Sequence, residues 1–154
     1  MRRGLDATDL KMLRLLQHDA EYSMQALAAK IGLSHTPCWQ RYRRLKTMGV
    51  IVGHAAVIDP KKVGVCMNAI CDIVLQQHHE GALAAFETAV VDLPEIVACF
   101  AMTGPKDYTL RVAVTSLEDY ERFFKEKLLR LPGVAHVNTS FAFSTVKYTT
   151  ALPL

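Results

Sequence analysis

The chain has no acidic side chain between Ser34 and Met48, although that stretch carries four cations, Arg41, Arg43, Arg44 and Lys46. Long apolar runs are missing too. The 51% apolar content is spread out, and no run approaches the roughly 18 residues that span a bilayer, so no membrane association is expected. Behind Arg2 and Arg3 there is no apolar segment, so no signal peptide is expected and the expected compartment is the cytoplasm. The four cysteines, Cys38, Cys66, Cys71 and Cys99, form no C-x-x-C pair and read as reduced, mostly buried thiols. There is no G-x-S-x-G, no H-E-x-x-H and no phosphate-cradling glycine loop, so no catalytic residue, resident cofactor or metal is expected. Adjacent His78 and His79 would point to opposite sides of an extended strand, which disfavours one shared metal ion.

What is present divides in two. Residues 1–62 hold 11 Lys and Arg against 5 Asp and Glu; residues 63–154 hold 7 against 10. Only the front part is therefore expected to meet a polyanion.

That front part reads as three short helices. Asp6 is placed to cap the first, with Asp9 adding charge to its first turn and Leu10, Leu13 and Leu16 at helical spacing. Ser23 can cap a second, which Gly32 ends. Ser34 can cap a third, with Pro37 in its first turn and Gly49 beyond its end. The turn Ile31-Gly32-Leu33-Ser34 between the last two is the connection of a helix-turn-helix, although a plain helical bundle would share it. At about 100° per residue, Cys38, Tyr42 and Leu45 of the third helix face the core. Thr36, Gln40, Arg43 and Arg44 lie opposite, flanked by Trp39, Arg41 and Lys46. A one-sided cationic helix suits a DNA major groove: Thr36 and Gln40 can reach base edges, Arg43 and Arg44 phosphate or guanine, and Ser34 and His35 open the helix beside them. The competing reading is a solvated basic face.

Val50–Val52 and Ala55–Ile58 read as short strands about Gly53-His54, either a small wing or a simple hairpin turn. The expected domains are 1–58, a helix-turn-helix with wing; 59–66, a hinge at Asp59-Pro60-Lys61-Lys62; and 67–154, an α/β domain. In the last, Ala69, Cys71, Ile73 and Leu75 alternate as a strand, and Leu83, Phe86, Val90 and Leu93 recur as a helix. Residues 96–102 are apolar on both faces, as in a buried central strand. A further strand follows over 108–114, then a helix through Leu117, Tyr120, Phe124, Leu128 and Leu131, and a last strand over 137–143. The order β-α-β-β-α-β is the ferredoxin-like pattern, and the fold class is α+β. Helices cover one face of such a sheet. The other reads as fairly apolar, so a second copy is expected to cover it.

Thr103-Gly104-Pro105-Lys106-Asp107-Tyr108 is the one glycine-marked loop that invites a ligand, though it also fits a tight turn and nothing more. As a site, backbone N–H groups at Thr103-Gly104 would hold an amino acid's carboxylate and Asp107 its ammonium. Met102 or Phe141 would read the side chain.

The segments LDATDLKMLRLLQHDA (5–20), IGLSHTPCWQRYRRL (31–45), GVIVGHAAVIDPKKVG (49–64), TGPKDYTLRV (103–112) and LLRLPGV (128–134) together resemble the Lrp/AsnC, or feast/famine, family of bacterial and archaeal transcription regulators. His35 stands where that family commonly has proline. The resemblance implies homodimers that assemble to an octamer and a small effector, usually an amino acid, bound between dimers. It places that site at Met102, Thr103, Gly104, Asp107 and Tyr108, with Thr139, Ser140 and Phe141 on the last strand. TPCW with QHH at 77–79 is similar to a branch that includes cysteine-responsive members, so a cysteine- or leucine-like effector is implied. The expected partner is double-stranded DNA. Two other classes share parts of this pattern: small ferredoxin-like oxygenases or metabolite-binding domains, which have no use for a cation-only helix, and protein-interaction modules.

Overall fold

The computed structural model describes residues 4–154; Arg2 and Arg3, which contribute to the basic front and to the reading of the N-terminus, lie outside the described residues. The chain forms two compact units, one running to Val57 and including Lys147–Leu154, the other Ile58–Val146.

In the first unit, α1 (Ala7–His18) starts on a capping box. Asp9 N–H donates to Asp6 Oδ1 at 2.8 Å, and Asp6 N–H donates to Asp9 Oδ2 at 3.0 Å, which satisfies two otherwise orphan donors. Ser23 caps α2 (Met24–Ile31) by accepting from Ala26 N–H at 3.1 Å, and Gly32 ends it at φ 78°, a conformation that favours glycine. Three residues later α3 (His35–Thr47) begins. The core is Met12, Leu13, Leu27, Ala28, Ile31, Cys38 and Leu45. The buried face of α1 is centred on Asp9, Met12 and Leu13, with Leu10 and Leu16 at its margins. The terminal segment 147–154, assigned from sequence to the second domain, packs with this first unit. Leu152 and Gln17 exchange two hydrogen bonds, and Arg14 Nε donates to the Leu154 carbonyl at 2.8 Å.

The strands expected at 50–58 do not form; the segment is irregular, and exposed beyond Ile51. Arms of three or four residues give too little cross-strand contact to hold a hairpin.

In the second unit a turn of 3-10 helix (Pro60–Val63) leads into β1 (Met67–Leu75), α4 (Glu80–Val91), β2 (Ile96–Ala101), β3 (Tyr108–Val114), α5 (Leu117–Glu126) and β4 (Val134–Phe141). The strand order is β2-β3-β1-β4, antiparallel throughout, with Cys71 opposite Leu110 on one side and Thr139 on the other. This is the βαββαβ arrangement. The core lies between sheet and helices, where Ala69, Cys71, Ile73, Leu75, Leu110 and Val112 meet Phe86, Val90, Tyr120 and Phe123.

Two expectations about the sheet are corrected. β2 is an edge strand, not a central one, and Val97 and Phe100 are exposed. An edge strand with an uncovered apolar face reads in sequence like a buried strand. The open face is also less apolar than expected. Ile70, Val74, Ala98 and Phe100 share it with Asn68, Asp72, Thr109, Arg111, His136, Asn138 and Ser140, as the strand register requires.

Candidate nucleic-acid interface and effector turn

The outward face of α3 separates into two sets of residues. Ser34 occupies the N-cap position without using its side chain as a cap, and His35, Thr36, Gln40 and Arg43 are exposed. Trp39, 45% exposed, stacks on Tyr42 with ring centroids 6.0 Å apart. Tyr42 OH meets His54 Nε2 at 2.9 Å, so the irregular segment after α3 is fastened to that helix by its histidine. Lys46 lies over the Tyr42 ring.

Arg41 and Arg44 do different work. Asp9 is 0% exposed, and Arg41 Nη1 reaches its Oδ1 at 2.8 Å and Asp6 Oδ2 at 2.5 Å. Arg44 pairs with the other Asp9 oxygen. Both arginines, read from sequence as DNA contacts, therefore tie α3 to the start of α1. Asp9, read from sequence only as a first-turn charge of α1, is the shared anion of both arginines, a role that sequence reasoning missed.

These contacts set a pH dependence. Burial pushes the Asp9 carboxyl up, but the Asp6 N–H and both guanidiniums outweigh it and hold it below the usual range. Asp6 is lowered by the Asp9 N–H and then by Arg41. Carboxylates lowered in the folded state contribute stability above their unfolded pKa of about 4, and that stability is lost as pH falls through the folded value. Thermal melting should accordingly show a midpoint that is flat near neutrality and drops below about pH 4, with a shallower acid drop in Asp9→Asn.

The turn between β2 and β3 is tightly organised. Met102 N–H donates to the Asp107 carbonyl at 2.8 Å, and Asp107 N–H donates to Ile73 O at 2.9 Å. Asp107 Oδ2 accepts from Leu75 N–H at 2.7 Å, and His78 Nε2 lies 3.0 Å from Oδ1. The Leu75 N–H, against burial and with help from His78, holds this carboxyl below the usual range. The carboxylate thus already ties down the end of β1. Met102, Thr103 and Gly104 are exposed, with Gly104 at φ 104°. Tyr108 is buried against Phe86, donates to Glu87 Oε1 at 2.8 Å, and has its phenol pushed up to about 12 by burial and then by Glu87. Thr139 and Phe141 face the helix layer, where Thr139 Oγ1 meets Tyr120 OH at 2.6 Å and Phe141 sits edge-on to the Tyr120 ring. Ser140 points to the open face. One chain does not bring the β4 residues to the turn: β1 lies between β3 and β4, and Thr139–Phe141 pair with Ala69–Cys71, whereas the turn sits beside Ile73 and Leu75. His79 caps α4, accepting from Ala82 N–H at 3.2 Å.

Residues 5–46 match the AsnC-type helix-turn-helix domain, and residues 68–152 match the Lrp/AsnC ligand binding domain. The chain belongs to the Lrp/AsnC family. It is 40% identical over 150 residues to the DNA-binding transcriptional activator DecR of Escherichia coli (strain K12), covering 97% of this chain and 99% of that protein. It is also 40% identical over 150 residues to the Bkd operon transcriptional regulator of Pseudomonas aeruginosa, covering 97% and 98%. The solved structure of an AsnC family transcriptional regulator from Agrobacterium tumefaciens superimposes with a TM-score of 0.91 at 37% identity, covering 97% of each chain. The complex of the transcriptional regulator NMB0573 with L-Met, from Neisseria meningitidis, gives 0.90 at 32%, covering 97% and 96%. This Lrp/AsnC protein is a DNA-binding transcriptional regulator with a separate ligand-binding domain.

Proposed function

We propose that this regulator binds specific operators in the cytoplasm as a homo-oligomer, a homodimer that assembles to an octamer, and that an amino acid controls its assembly or its DNA binding. It acts by binding, not by catalysis. The observation that carries the reading is the outward face of α3. Ser34, His35, Thr36, Trp39, Gln40 and Arg43 are exposed there with no acidic neighbour on the helix. Thr36 and Gln40 meet base edges; Arg43 meets phosphate or guanine. Arg41 and Arg44 keep the helix at its angle to α1 and present their remaining N–H groups to the backbone.

The ligand-binding domain and the L-Met complex of NMB0573 support an amino acid as effector. The turn Met102–Asp107 is the site we favour, with Thr139, Ser140 and Phe141 supplied by another copy, since within one chain β1 separates the two groups and they lie at different levels along it. The exposed apolar side chains of the edge strand β2, Val97 and Phe100, support assembly. Light scattering at micromolar concentration should give at least a dimer mass.

A thermal-shift screen against the common amino acids identifies the effector by mass action. Asp107→Asn keeps an acceptor for Leu75 N–H but loses the charge. Calorimetry should show effector affinity reduced by about 5- to 150-fold, corresponding to about 1–3 kcal/mol, with operator binding retained in the absence of effector. Unchanged affinity would move the site elsewhere.

A further inference from the structure

Of the apolar side chains of α3, Cys38 and Leu45 are buried, Pro37 and Tyr42 are half-buried, and Trp39 alone is exposed, at 45%. One exposed apolar side chain is ordinary on a protein surface. Trp39 is set apart by where it stands and how it is held. Thr36 lies three residues before it and Arg43 four residues after it, so the three share one stripe on the outward side of the helix. The indole stacks on the Tyr42 ring, with centroids 6.0 Å apart and planes 29° from parallel. Tyr42 is itself held by two further residues. Its ring stacks on the His54 imidazole at 6.3 Å and 20°, its hydroxyl meets His54 Nε2 at 2.9 Å, and Lys46 Nζ lies 5.6 Å from its centroid. An aromatic ring backed in this way loses little conformational entropy when a partner covers its open part.

The chemistry of the ring narrows what that partner is. In the major groove thymine alone presents a methyl group; the other base edges present hydrogen-bond donors and acceptors. An indole has a single N–H donor and no acceptor, so it cannot accept from the amino groups of adenine or cytosine, and most of its surface is apolar. We propose that Trp39 is a specificity-determining residue that packs on the 5-methyl group of a thymine in the operator, and that His54 positions it by holding Tyr42. The inference rests on the reading of α3 as the helix that enters the major groove, and it names the base that this part of the helix selects. His54 touches no base in this scheme. It acts through the Tyr42 ring, so the irregular segment after α3 contributes to base choice from behind the helix.

The test uses a duplex selected from a random library on the full-length wild-type protein. Each thymine in it is replaced in turn by deoxyuridine, which removes the methyl group and keeps the base pair. Binding is measured by fluorescence anisotropy at one salt concentration. Wild-type affinity should fall about fourfold at the thymine under Trp39, the worth of one buried methyl group. That replacement should make no difference to Trp39→Ala. His54→Ala should melt near the wild-type midpoint yet show a smaller methyl effect; an undiminished effect would contradict its positioning role. The deoxyuridine series on the wild type needs no variant, so the test does not depend on whether Trp39→Ala folds. A selected duplex on which no deoxyuridine weakens binding would overturn the proposal and leave α3 as the reading helix. So would a methyl effect that persists in Trp39→Ala, which would belong to Thr36 instead. Failure to select any common sequence would overturn both the proposal and the reading beneath it.

Discussion

Asp9→Ala should be the most damaging substitution of a charged residue in the N-terminal unit, lowering its stability by about 2–4 kcal/mol in urea or thermal unfolding. The change removes the return arm of the α1 capping box and leaves two guanidiniums without their shared carboxylate. Losing one partner of a fully buried pair costs more, but Arg44 is 46% exposed and Arg41 30% exposed, so both can turn to water. Asp9→Asn keeps the cap acceptor and should cost roughly half as much. A double-mutant cycle with Arg44→Met should return a coupling of about 1 kcal/mol or more. Additivity would show that the two residues do not interact.

The second large effect is expected on DNA. Arg43→Ala and Gln40→Ala should each weaken operator binding by about 1–3 kcal/mol, with unfolding midpoints near wild type, because neither side chain is buried. If Arg43 lies on phosphate, the loss should be uniform across sequences, and the slope of log K against log salt should fall by about one. If it reads guanine, discrimination at one base pair should relax instead. Arg44→Ala should behave differently. It should lower both stability and DNA affinity, because Arg44 is one of the two guanidiniums on Asp9.

The parts of this structure that could be read in the sequence are those set by local rules. Asp6 and Ser23 cap their helices, Gly32 ends α2 in a left-handed conformation, and the strands alternate with period two, all within a few residues of the side chains that cause them. What could not be read depends on partners far along the chain. A helical wheel put Arg44 on the outer face of α3, correctly, yet could not show that Asp9, 35 residues earlier, would take its charge. Val97 and Phe100 gave β2 the look of a central strand, because apolar side chains awaiting a partner and those already buried have the same pattern. Val50–Ile58 has the composition of strands but not the cross-strand contacts that would make them. For the effector turn the residues were legible, but not that Asp107 is committed to Leu75 N–H and His78, or that Tyr108 lies in the core.

The central claim is that the exposed face of α3 selects DNA sequence. The direct measurement is to capture sheared DNA from the source genome on the purified, full-length protein, sequence what is retained, and repeat with Gln40→Ala/Arg43→Ala. The wild type should enrich a small set of fragments sharing a common site. The double variant should remain folded by melting, keep weak salt-sensitive retention of bulk DNA, and lose that enrichment. A folded double variant that enriches the same fragments as strongly as wild type would contradict the account.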